Sequence, residues 1–146
     1  MKYIVSKASD EALAYALLRL ALGMNFFGHG FVRVIGGVDA FAAGLVKGFD
    51  KTILPTALVQ PFALTLPWVE ALLGLLLMAG LFSRLALVVG ALLMVALTFG
   101  SSMQSNWSAV GTQLAYSVVF SLLLFGRRYN SLSLDAVREA HGTGTR

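Results

Sequence analysis

The chain has 146 residues, 58% hydrophobic and only 12% charged, with a formal net charge of +4 and a mean hydropathy of +0.80. Soluble domains carry about 25% charged residues, so this balance excludes an ordinary water-soluble fold and predicts one integral membrane domain spanning residues 1–146. Cysteine is absent, which excludes disulfides, thiolate metal sites and thiol relays; the excess of basic residues reads as loops facing the cytoplasm, with no role for nucleic acid.

The lead, residues 1–9, is followed by no small-residue cleavage site, so the start reads as a retained helix and not a signal peptide. Ser9 or Asp10 would cap that helix, with Asp10 and Glu11 against its N-terminal dipole. Segment one is predicted over about residues 12–33, apolar except for Arg19, Asn25, His29 and Arg33. At about 100° per residue these four fall within one arc of about 120°. Polar groups in a membrane helix face protein or water, so this stripe is its predicted inner face.

After Gly36-Gly37, the residues Val38, Phe41, Leu45 and Phe49 recur at helical spacing opposite Asp39, Lys47 and Asp50. That pattern predicts a short amphipathic helix in the interface. Pro55 and Pro61 deliver the chain into segment two, residues 58–81, long enough to cross a hydrocarbon core of about 30 Å. Within it Glu70 stands one turn after Pro67, and Pro67 has no N–H to give to the carbonyl of Ala63. A charge at such a position costs at least about 2.5–3.5 kcal/mol, so Glu70 needs a partner, a proton or a task.

Segment three, residues 85–101, carries no charge, and its far end turns polar through Thr98, Ser101, Ser102 and Gln104. Segment four, residues 109–125, carries Gln113, Tyr116, Ser117 and Ser121 at helical spacing. Gly126-Arg127-Arg128 stops it, and the tail, residues 126–146, holds a short helix from Leu134 to Ala140 capped by Ser133. The fold class expected is therefore an all-α four-transmembrane-helix bundle with a short amphipathic interfacial helix between helices 1 and 2. Lys2, Lys7, Arg84, Arg127, Arg128, Arg138 and Arg146 fall on one side of such a bundle, and Arg33, Lys47 and Lys51 on the other. This bias places both termini in the cytoplasm of a multi-pass inner-membrane protein.

Rise per residue sets expected depths. Glu70 should lie near the midplane, level with Leu22 and Gly23, with Arg19 one turn below. An intramembrane ion pair Arg19–Glu70 is expected, either locking the first two helices or touching a ligand or proton. His29, Arg33, Thr98 to Gln104 and Trp107 to Gln113 gather at the outer end, predicting a polar pocket that opens outward and narrows toward Glu70. The candidates for ligand binding or proton relay are Arg19, Asn25, His29, Arg33, Glu70, Trp107 and Gln113. Each has a plainer alternative: His29 bonding a helix carbonyl, Arg33 with Lys47 and Lys51 anchoring at headgroups, Trp107 in an interfacial belt, Gln113 and Tyr116 satisfying helix contacts. Gly74 and Gly80 read as close-packing positions. The only other histidine is His141, so haem and metal ligation are not expected.

The chain resembles the DoxX family of small four-helix bacterial membrane proteins. The resemblance rests on LLRLALGMNFFGHGF, the stretch from Pro61 through Pro67-Trp68-Val69-Glu70 to Gly74, GLFSRLAL, and YNSLSLDA, covering residues 12–136. Relatives in that family include the membrane subunit of a thiosulfate–quinone oxidoreductase and a protein needed for methylamine dehydrogenase maturation. The resemblance implies redox chemistry beside the quinone pool, with Arg19, His29, Glu70 and Arg84 at the family's recurrent polar positions. The function expected is a quinone-linked subunit or accessory of a membrane oxidoreductase, with quinone as ligand and a partner redox protein or a small molecule as electron donor. The alternative is a non-catalytic membrane anchor or assembly factor; either is compatible with a homo-oligomer in the lipid bilayer.

Overall fold

The computed structural model describes residues 9–142; Lys2, Lys7 and Arg146, which enter the charge count above, lie outside them. Six α-helices follow in order: α1 Asp10–Ile35, α2 Val38–Gly48, α3 Thr56–Ala79, α4 Ser83–Met103, α5 Trp107–Phe125 and α6 Leu134–Gly142, with a 3-10 turn at Gly126–Tyr129. The four long helices begin and end within two residues of the predicted segments.

Local chemistry sets the ends. The Ser9 hydroxyl accepts from the Ala12 N–H at 3.3 Å, and the Asn106 side chain accepts from the Ala109 N–H at 3.2 Å, so α1 and α5 start on side-chain caps. Gly37, at φ 98°, turns the chain from α1 into α2, and the two helix axes are bent by 104°. Gly80 closes α3 in the left-handed region, at φ 63°. A different device starts α4. Phe82, itself left-handed at φ 49°, cannot cap, and the carboxylate of the distant Asp135 accepts from the Phe82 and Ser83 N–H groups at 2.8 and 2.7 Å.

By length and composition α3, α4 and the stretch opening with α5 can each cross a membrane, while α1 qualifies only together with α2, as a bent pair. Arg19, Asn25, His29 and Arg33 are what dilute α1. The described residues are thus all helical, with three or four candidate crossings.

The bundle is organised by the antiparallel α1–α3 pair. Gly30 lies against the Pro67 carbonyl and Ala71, Gly74 against Phe27, and Gly23 against Gly74 and Met78, each too close for an added Cβ. Small residues let the two backbones approach. Beside this pair Phe26 meets the Phe120 ring edge-on, 5.3 Å between centroids, and Phe120 in turn lies over Gly90 of α4. Leu22, Leu73, Leu77 and Leu87 complete the buried centre.

This register corrects the expected depths. Glu70 lies level with Gly30, about two turns from Leu22 and Gly23. The close approaches at Gly23, Gly30 and Gly74 fix this register, and α2 packs against α3 as well. The first turns of α3 therefore extend past the end of α1.

Candidate functional site

The shifted register exchanges the partners of the two buried charges. Glu70 is 5% exposed and pairs with Arg33, whose Nη1 donates to its Oε2. The expected Arg19–Glu70 pair does not form. Arg19 is 4% exposed and donates instead to two carbonyls, Leu77 O at 2.8 Å and Leu132 O at 2.7 Å. Carbonyls stabilise a guanidinium less than a carboxylate would; these two take its Nη1 and Nη2, while its buried Nε has no partner among the described residues. Arg19 is therefore a structural tie between α1, α3 and the tail.

The tail forms the expected short helix, but its docking onto the bundle has no counterpart in the sequence pattern. Beyond Leu132, the Asp135 N–H donates to the Gly80 carbonyl at 3.0 Å, Asn130 Nδ2 donates to Ser83 Oγ at 3.0 Å, and Arg138 lies over the Phe82 ring at 5.1 Å. Burial pushes the Asp135 carboxyl up, but the hydrogen bonds from Ser83 and Phe82 and the nearby Arg138 outweigh it and hold the group below its ordinary 3.8. The short helix capped by Ser133, whose Oγ accepts from the Ala136 N–H at 3.2 Å, is thus docked across the turn between α3 and α4.

At the opposite end of the bundle a cavity of about 240 Å³ opens between α1, α3, α4 and α5. Asn25, His29, Arg33, Glu70 and Gln113 all line it, beside apolar Phe26, Met94 and Leu97. Five of the seven candidate residues therefore meet at one place. Arg19 and Trp107 are not among its lining; Trp107 is 67% exposed at the first turn of α5. His29 is exposed, and it also borders the groove on the outer side of α1.

Two side-chain oxygens in this wall lack partners: Asn25 Oδ1 and Gln113 Oε1 are buried and unbonded among the described residues. The Gln113 amide nitrogen is held by Ser101 Oγ at 2.8 Å. Arg33 is fixed from two sides, by Glu70 and by the Phe41 ring of α2, 4.6 Å from its guanidinium carbon. That leaves further guanidinium donors without an acceptor among the described residues. The cavity thus combines a fixed cation, two free acceptors and an apolar floor. Phe41 was legible only as part of an apolar stripe; nothing local in its sequence marks it as a support for Arg33. No group of three His, Cys, Asp or Glu side chains gathers at metal-binding distance among the described residues.

A family model described as DoxX matches residues 14–103, more than half the chain, so the match takes in α3 whole and most of α1 but stops before α5. No curated protein and no solved structure matches the chain.

Proposed function

We propose that this chain, which belongs to the DoxX family, is a bacterial inner-membrane protein whose cavity binds the headgroup of a quinone, as the quinone-side subunit or accessory of a membrane oxidoreductase. The observation that carries the reading is the Arg33–Glu70 pair set in the wall of a cavity with two unbonded buried acceptors. A quinone carbonyl needs hydrogen-bond donors, which Arg33 supplies. The quinol has hydroxyl hydrogens, which Asn25 Oδ1 and Gln113 Oε1 would accept. One site can therefore hold both redox states. Sites for drug-sized ligands run to about 300–1,000 Å³, so a cavity of about 240 Å³ suits one ring with its tail lying outside among the lipids.

Reduction of a quinone takes two electrons and two protons. The electrons come from a partner redox protein, and His29, exposed at the cavity rim, is the group placed to exchange protons with water. In this topology four crossings put both termini in the cytoplasm, α2 lies along the outer surface, and the cavity opens outward. The bias of basic residues supports that orientation.

The test is titration of the detergent-purified protein with a short-tailed quinone, read by quenching of Trp68 and Trp107. Saturable quenching is expected, with affinity falling about tenfold in Asn25→Leu, whose wall then lacks an acceptor (about 1–1.5 kcal/mol). Unsaturable quenching that is equal in wild type and variant would leave the chain as a membrane anchor for its partner.

A further inference from the structure

We propose a second binding site, for an anionic phospholipid, in the groove between the start of α4 and the 3-10 turn at the end opposite the cavity. The groove has a volume of about 450 Å³ and is lined by Phe82, Arg84, Leu85 and Val88 from one stretch and by Arg127 and Asp135 from another. Two guanidinium groups 43 positions apart in sequence thus converge on one concavity. Topology-marking charges need only lie on the correct side; they need not share a groove. Neither arginine pairs with a carboxylate among the described residues. Asp135, the acidic group in the wall, is turned to the Phe82 and Ser83 N–H groups, and its one negative charge against two guanidinium groups leaves the groove net cationic.

The rest of the lining states what kind of anion fits. Leu85 is 61% exposed and Val88 37%, and one helical turn separates them, so they continue the groove along α4 into the hydrocarbon layer. A phosphodiester between Arg84 and Arg127 would sit where bidentate donors suit phosphate oxygens, with an acyl chain on Leu85 and Val88. Free phosphate could use the arginines but would leave the apolar half of the groove empty. The chemistry shared by both is the phosphate; the apolar continuation favours the lipid. The site is independent of the quinone reading.

The test uses the full chain in mild detergent and follows thermal unfolding during titration with short-chain phosphatidylglycerol, phosphatidylcholine or inorganic phosphate. Phosphatidylglycerol should raise the midpoint saturably and phosphatidylcholine should not. Each arginine contributes about fivefold to affinity for an anionic headgroup, so Arg84→Gln with Arg127→Gln should weaken binding about 30-fold. Lys47→Gln with Lys51→Gln, at the other end of the chain's charge distribution, should leave binding unchanged. Should the double arginine variant fold poorly, Arg84→Lys with Arg127→Lys keeps both charges but loses the planar fork, and a several-fold weakening is still expected. Equal shifts with both lipids, an unaffected double arginine variant, or inorganic phosphate that matches and displaces the lipid would each overturn the proposal.

Discussion

A double-mutant cycle on Arg33 and Glu70 tests the register of the bundle directly. Arg33→Met strands an acid that is 7% exposed in its side chain, and an unpartnered charge in apolar surroundings costs about 3 kcal/mol. Glu70→Leu should cost less, about 1–2 kcal/mol, because the Arg33 side chain is 28% exposed, keeps the Phe41 ring and can reach the interface along its stem. With both groups gone, no charge is stranded, and the double variant should lose only about 1.5–2 kcal/mol, which leaves a coupling of about 2–3.5 kcal/mol. The same cycle on Arg19 and Glu70 should be additive within about 0.5 kcal/mol. Arg19 reaches α3 at Leu77, seven positions and about 10 Å along the helix from Glu70. Unfolding by sodium dodecyl sulfate in mixed micelles, followed by circular dichroism, reads all five variants against wild type. Coupling of Glu70 to Arg19 in place of Arg33 would refute the register and the cavity built on it.

Three further outcomes follow from the packing, the tail and its tie. Gly30→Ala puts a methyl into the Pro67 carbonyl and Ala71 and should destabilise by about 2–3 kcal/mol, whereas Gly28→Ala, which meets nothing within 4 Å, should stabilise by up to about 1 kcal/mol; the same micelle titration separates them. Arg19→Met should cost about 3 kcal/mol through its two lost carbonyl bonds, and should expose residues 130–142 to hydrogen exchange while leaving quinone quenching unchanged. The folded Asp135 carboxyl is held below its ordinary 3.8, so tail docking should be complete above that value and fall away as pH drops through the lower folded one. Exchange or proteolysis at residues 134–142 should show this loss, and Asp135→Asn should weaken docking at neutral pH and remove the pH dependence.

Much of the architecture was legible because it depends on short-range features. Apolar runs bounded by Gly36-Gly37, by the polar stretch from Ser101 to Gln104 and by Gly126 mark helices wherever they occur, and the polar face from Asn25 to Arg33 announced which side of α1 turns toward Glu70 and Gln113. Pairing was harder to read. Whether Glu70 meets Arg19 or Arg33 depends on a slide of about two turns between α1 and α3. That slide is set by which backbone atoms Gly23, Gly30 and Gly74 admit. Glycine spacing says that helices approach, but not at which height. The role of Asp135 was hidden for a similar reason. Its hydrogen bonds span more than fifty positions, to a turn whose own Phe82 gives no hint that it needs a cap from elsewhere.

The guanidinium of Arg19 also constrains how the protein is made. It stands about 14 Å into α1, yet one of its acceptors belongs to Leu132, more than a hundred residues later in synthesis. Until that carbonyl arrives, the nascent bundle must keep the group near water or shielded by the insertion machinery. A stretch translated late is in this sense what lets an earlier one settle.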